Sequence, residues 1–200
     1  MNSMQESVKG EYENMQKIIF ITGNKHKLEI ANSIFSMYDI DVENRDIEPN
    51  EIQETDIEKI ASFSALEAAK ILNVPVIKTD VGFEIEALNG FPGAFGKYIF
   101  NWLGTEGILK LMEGKDNRRG KAIEVLAYAE PNGYCKTFRM DTPLTIRTSA
   151  LGTGSVMNKL MNIEGQKANY GSLSLAEKLE WWRNNNNYFH EFAKWYNKRN

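Results

Sequence analysis

One cysteine, Cys135, stands in the whole chain. A lone thiol closes no intrachain disulfide and builds no cysteine metal cluster. A reducing compartment is its natural setting, so a cytoplasmic location is expected. No run of about 18 apolar residues occurs, so no membrane-spanning helix is expected. Residues 1–16 lack the apolar stretch of a secretory signal and read as a loosely ordered leader, with residues 17–200 as one α/β domain. The net charge of −3 supplies no basic field for nucleic acid, yet leaves room for a local basic site on a small phosphorylated ligand. Internal repeats are absent.

What is present is ordinary globular material: 42% hydrophobic and 26% charged residues over 200 positions, enough for a sizeable core. Residues 17–22 form a short β-branched run, Gly23-Asn24 breaks it, and Leu28, Ala31, Ile34 and Phe35 recur at helical spacing behind it. Strand, glycine turn and helix open an α/β unit. A short second strand is expected at 39–42 and a polar loop at 46–53. Asp56 is placed to cap a helix whose stripe runs Ile57, Ile60, Ala61, Ser64, Ala68, Ile71 and Leu72. A buried strand over 76–79 then closes on Asp80, and a further strand is expected near 83–88. Residues 89–93 are turn chemistry, followed by two short helices at 98–103 and 107–112. Strands at 122–129 and 134–140 flank a hairpin signal at Glu130-Pro131-Asn132-Gly133, and 142–147 continues the sheet. A helical turn at 156–161 and a terminal aromatic helix at 188–198 complete the reading.

Three constellations carry chemistry. In Thr22-Gly23-Asn24-Lys25-His26-Lys27, a helix N-terminus offers unpaired N–H groups to a phosphate. Gly23 permits close approach, Asn24 can bond an oxyanion, and Lys27 adds a charge one turn in. Read on spacing alone, the same residues are better taken as a capping turn with a solvated lysine pair. In the second, Asp80 stands at the end of a buried strand and Glu51 in an acidic loop. Mg²⁺ takes carboxylate, water and phosphate oxygens, and these are the pair expected to hold it; the other acids of that loop read as solvated. The third is the stretch 80–93, which by itself reads as a hairpin.

Together these segments resemble the inosine triphosphate pyrophosphatase family. Thr22, Gly23, Asn24, Lys27 and Glu29 are similar to its T-G-N-x-x-K-x-x-E opening. Pro49 with Glu51-Ile52-Gln53 is similar to a P-E-I-Q segment with one residue inserted. Residues 80–93 resemble D-[ST]-x-G-L-x-[IV]-x-A-L-x-G-x-P-G. The resemblance implies a mixed central sheet flanked by helices in an elongated α/β fold with a nucleotide cleft. It implies hydrolysis of a nucleoside triphosphate to monophosphate and pyrophosphate, with Mg²⁺ or alternatively Mn²⁺, and a homodimer. Thr22, Gly23, Asn24 and Lys27 would bind the triphosphate. Glu51 and Asp80 would hold the metal, and Asp80 would also orient or deprotonate the attacking water.

The C-terminal half departs from the family. Where it has G-F-G-[YW]-D-P for the purine, this chain has Gly152-Thr153-Gly154-Ser155-Val156-Met157, keeping the glycines without the aromatic or aspartate. Ala176-Glu177 matches a later A-E pair, Arg183-Asn184 stands at the spacing of K-N, and S-H-R is missing, with His190 two residues beyond the expected histidine. Arg183 and His190 are therefore candidate substrate contacts, or else a surface arginine and a packed histidine. Trp181, Trp182, Tyr188, Phe189 and Trp195 could stack on a base or pack the terminal helix. Phosphate and metal handling reads as retained, and base specificity as altered. The alternatives are a nucleotide-binding protein or sensor without turnover, and a hydrolase of another modified nucleotide.

Overall fold

The structure is a computed structural model that describes residues 16–166 and 168–199. The expected leader therefore lies outside the described residues except for Gln16, which opens β1 (Gln16–Ile21). Asn24 caps α1 (Lys25–Phe35), its side-chain oxygen accepting from the His26 and Lys27 amides. The chain then forms β2 (Ile40–Arg45) and crosses a polar loop to α2 (Ile57–Leu72), which Asp56 caps through the Glu58 amide. Next come β3 (Val76–Ile85), the two-residue β4 (Pro92–Gly93) and α3 (Gly96–Leu111). The long pair β5 (Arg119–Ala129) and β6 (Cys135–Ile146) follows. The chain closes with α4 (Val156–Leu160), β7 (Met161–Ile163), α5 (Leu175–Asn184) and α6 (Tyr188–Arg199).

The described strands form one mixed sheet in the order β2-β1-β3-β5-β6-β7, with β4 paired to β3. β1 runs parallel to β2 and β3; the pairs from β3 to β7 are antiparallel. Strand alternation sends the side chains of β5 to two sides. Ile123, Val125, Ala127 and Ala129 meet Ala61, Ala65 and Ala68 of α2 on one face. Leu126 and Tyr128 meet Ile34, Phe189 and Phe192 of α1 and α6 on the other. A third cluster lies further along that second face, around Ala122, Leu144, Met157 and Tyr170. The mixed sheet with helices on both faces agrees with the expected fold class.

Three differences from the sequence reading have physical causes. The strand expected to end at Asp80 continues to Ile85, because β5 pairs with all ten of its residues. β1 reaches only Lys78, so beyond that point β3 loses its parallel neighbour and its edge is open until β4 pairs with Phe83 and Glu84. The two helices expected at 98–103 and 107–112 are halves of α3, broken at Gly104 with φ 61° and ψ −168°. Helix α5 was not expected, although Ser174 and Glu177 form a capping box, a signal readable in the sequence. At 152–154 the glycines have a backbone reason: Gly152 has φ +77°, and a Cβ there would lie 2.1 Å from the Gly171 carbonyl.

Candidate active site

The site lies where β1 stops and β3 goes on with β5 as its neighbour on the other edge. Lys27, one turn into α1, reaches over this edge, and its ammonium donates to the Thr79 carbonyl at 3.2 Å. Thr79 is the first β3 residue beyond the register of β1. Asp80 follows, with one carboxylate oxygen accepting from the Val81 amide at 2.8 Å. Burial pushes the Asp80 carboxyl above its ordinary range, with Lys27 and the Val81 N–H pulling it back. Burial also lowers Lys27, against the opposing pull of Asp80 and Glu124. An ammonium and a carboxyl thus share one partly dry edge of the sheet.

Glu51, from the loop before α2, accepts from Lys78 Nζ at 2.8 Å. That bond holds its carboxyl below the usual range, with Lys97 and Lys27 adding to the effect. Gly82 keeps this side compact: a Cβ there would lie 2.6 Å from Ile57 Cδ1 and 3.1 Å from the Gly93 carbonyl.

These groups line a cleft of about 1410 Å³, larger than the ~300–1,000 Å³ of a typical small-ligand pocket and roomy enough for an extended polyphosphate. Asn24, Lys27, Glu51 and Asp80 are all on its wall, together with Lys97, Lys159 and Lys178. A cleft with this many ammonium groups suits a polyanion. Thr22 and Gly23 are not on the wall. Thr22 Oγ1 accepts from the Asn24 amide at 3.0 Å, and a Cβ on Gly23 would meet Asp46 Oδ1 at 2.9 Å. Both shape the turn that presents Asn24 and Lys27.

The structure does not bring Arg183 and His190 to the cleft. His190 is buried in the aromatic core, its Nδ1 bonded to the Tyr38 hydroxyl at 2.9 Å and its Nε2 to the Arg183 carbonyl at 3.1 Å. Arg183 is exposed at the end of α5. The physical reason is helical spacing: residues 174–184 wind as a capped helix, and the lysine turned inward is Lys178, whose ammonium sits 5.1 Å from the Tyr170 ring centre. Of the aromatics, Trp181, Trp182 and Tyr188 form part of the cleft wall, whereas Phe189 and Trp195 pack inside the α6 cluster. The wall is braced across the cleft, since the Tyr170 hydroxyl accepts from Trp182 Nε1 at 3.0 Å and bonds His26 Nε2 at 3.2 Å.

Glu124, on β5, went unnoticed in the sequence. It faces the cleft on the side of the sheet opposite the α2 packing, and burial pushes its carboxyl up to about 7 against the pull of Lys27. The available signal was a single charge inside the apolar run 122–129.

Comparison with known proteins agrees with this architecture. The model of the Ham1 family matches residues 18–182. A protein of Methanopyrus kandleri called dITP/XTP pyrophosphatase is 38% identical, over 90% of this chain and 96% of its own length. A protein of the same description from Methanothermobacter marburgensis is 36% identical over the same shares. Among solved structures, the Staphylococcus aureus Ham1 protein superposes with a TM-score of 0.73 at 22% identity, covering 92% of this chain and all of that one. A HAM1 protein of Coxiella burnetii gives 0.74 at 19% identity over the same 92% of this chain. The match spans most of the sequence, including all three motifs that prompted the resemblance, and the chain belongs to the Ham1 family.

Proposed function

We propose that the protein hydrolyses nucleoside triphosphates to a monophosphate and pyrophosphate, with dITP and XTP, the substrates in its relatives' names, as first candidates. The observation that supports this most is the edge of β3, where Lys27, bonded to the Thr79 carbonyl, and Asp80 line one cleft that carries further lysines. In phosphoryl chemistry, positioning and charge neutralisation supply most of the catalysis. Lys27 and the Asn24 side-chain amide hold the triphosphate. Asp80 orients a water and takes its proton as the water's oxygen attacks the α-phosphorus. The bond from that phosphorus to the α–β bridging oxygen breaks, and pyrophosphate leaves.

The donor set also fits a hard divalent cation. Among the described residues no group of three or more His, Cys, Asp or Glu side chains is gathered to chelate an ion. Mg²⁺ needs no such cage, since one or two carboxylates with phosphate oxygens and waters suffice. Asp80, whose burial is only partly offset by Lys27, and Glu51 would be those carboxylates. When bound, such an ion neutralises charge on the phosphate oxygens.

Pyrophosphate release from a panel of ITP, dITP, XTP and the common triphosphates, with Mg²⁺ and with EDTA, tests the reading. Metal-dependent release from one or more supports it. Binding without release from a folded protein would instead establish a nucleotide-binding protein without turnover. The homodimer implied by the resemblance belongs to this proposal too, and sedimentation at micromolar concentration tests it by the mass of one chain or two.

A further inference from the structure

On the α1 face of the sheet, β5 carries a charge where its pattern calls for hydrocarbon. Ala122 packs into one apolar cluster and Leu126 into the next. Glu124 falls between them, where the cleft opens. Its carboxyl makes no hydrogen bond or ion pair among the described residues, and the charge that opposes its burial is Lys27. Tyr188 is 3% exposed and lines the same cleft. Its hydroxyl likewise makes no hydrogen bond among the described residues, and the charge of Glu124 acts on it and on Tyr170. The Tyr170 hydroxyl beside them is occupied by Trp182 and His26. Neither polar end is sealed in the core: both open on the ligand-sized cleft, so a ligand bound there would meet two polar groups that no described protein group occupies.

We propose that Glu124 and Tyr188 form a specificity subsite that takes a hydrogen bond from an O–H or N–H donor on the nucleoside end of the substrate. This rests on the pyrophosphohydrolase reading. A carboxyl repels phosphate oxygens, and in the pyrophosphohydrolase reading Lys27 takes up the triphosphate, so the group that Glu124 meets belongs to the sugar or base. Two donors have the right chemistry: a ribose 2′-hydroxyl, and the N1–H of a 6-oxopurine, which adenine lacks. An acceptor that a bound substrate seals from water rejects an analogue without the donor far more strongly than an apolar wall does, because the acceptor is left unpaired.

The test compares kcat/KM for ITP, dITP and ATP in the wild-type protein, Glu124→Met, Glu124→Gln and Tyr188→Phe. All three substrates carry the same triphosphate, so any effect transmitted through Lys27 cancels in their ratios. The expected result is a fall of at least tenfold in one ratio for Glu124→Met: ITP over dITP if the donor is the sugar, ITP over ATP if it is the base. Glu124→Gln restores part of it, since its amide oxygen still accepts, and Tyr188→Phe moves the same ratio in the same direction. Both ratios unchanged in Glu124→Met and Tyr188→Phe would overturn the subsite while leaving the hydrolase reading intact. If Glu124→Met does not fold, Tyr188→Phe alone decides. If the wild-type protein releases pyrophosphate from nothing, the hydrolase reading fails, and the affinities of IMP, dIMP and AMP, read by tryptophan fluorescence, give the same two ratios.

Discussion

At the scale of single residues, the cost of holding an ammonium away from water organises the cleft. That cost is several kcal/mol unless partners replace the lost hydration, and for Lys27 the partners are the Thr79 carbonyl and the charges of Asp80 and Glu124. Lys27→Met removes the positive charge aimed at the phosphates and is expected to lower kcat/KM roughly 100- to 1,000-fold, the usual effect of losing one such electrostatic contact. Asp80→Asn keeps the shape but cannot take a proton. Its kcat is expected to fall about 100- to 10,000-fold with nucleotide binding retained, as steady-state kinetics and titration would show. Glu124 adds a pH dependence to stability. Its carboxyl goes from an ordinary 4.5 to about 7 on folding, so the folded state binds the extra proton between those values. The stability this provides is fully present below 4.5 and is lost as the pH rises through about 7. In metal-free buffer the thermal midpoint should fall between pH 5 and 8, and Glu124→Met should flatten that part of the profile. Legibility at this scale was uneven. Asn24, Lys27, Glu51 and Asp80 occupy motif positions and reach one cleft, whereas Glu124 belongs to no motif and acquires meaning only when β5 is laid beside β3.

Among the elements, α5 shows how a cap can position chemistry. Ser174 Oγ accepts from the Glu177 amide at 3.3 Å, and the Glu177 carboxylate accepts from the Ser174 amide at 2.7 Å. This helix carries Lys178, Trp181 and Trp182 to the cleft. Ser174→Ala should cost about 1 kcal/mol, typical of a lost N-cap, and raise KM more than it lowers kcat; denaturant melts and kinetics check the two halves. Gly82→Ala pushes a methyl group toward Ile57 and the Gly93 carbonyl, so it should destabilise by about 1–3 kcal/mol as an overpacked core does. Periodicity made α1, α2, the β5–β6 hairpin and α6 readable in advance. It did not place Lys178. Counting along the chain put Arg183 at the spacing of the family's lysine and left His190 two residues past its histidine, but a helix repeats about every 3.6 residues and turns Arg183 outward. The end of β3 was misread because an edge that opens on one side only leaves no mark in local composition.

For the molecule as a whole, the cleft follows from how its apolar material is divided. One cluster joins α2 to the sheet, a second joins α1 and α6, and a third gathers β6, β7 and α4. Glu124 stands where the second and third clusters part on one sheet face, and Lys27 and Asp80 gather at the edge where β1 ends. Among the described residues no helix is long and apolar enough to cross a membrane. The central claim is that this cleft splits a nucleoside triphosphate between its α and β phosphates. Hydrolysis of dITP or XTP in ¹⁸O-labelled water, with the products weighed by mass spectrometry, tests it most directly. One labelled oxygen in the monophosphate and unlabelled pyrophosphate are expected, with label transfer slowed at least about 100-fold in Asp80→Asn. Label in free phosphate, or turnover undiminished without Asp80, would contradict it.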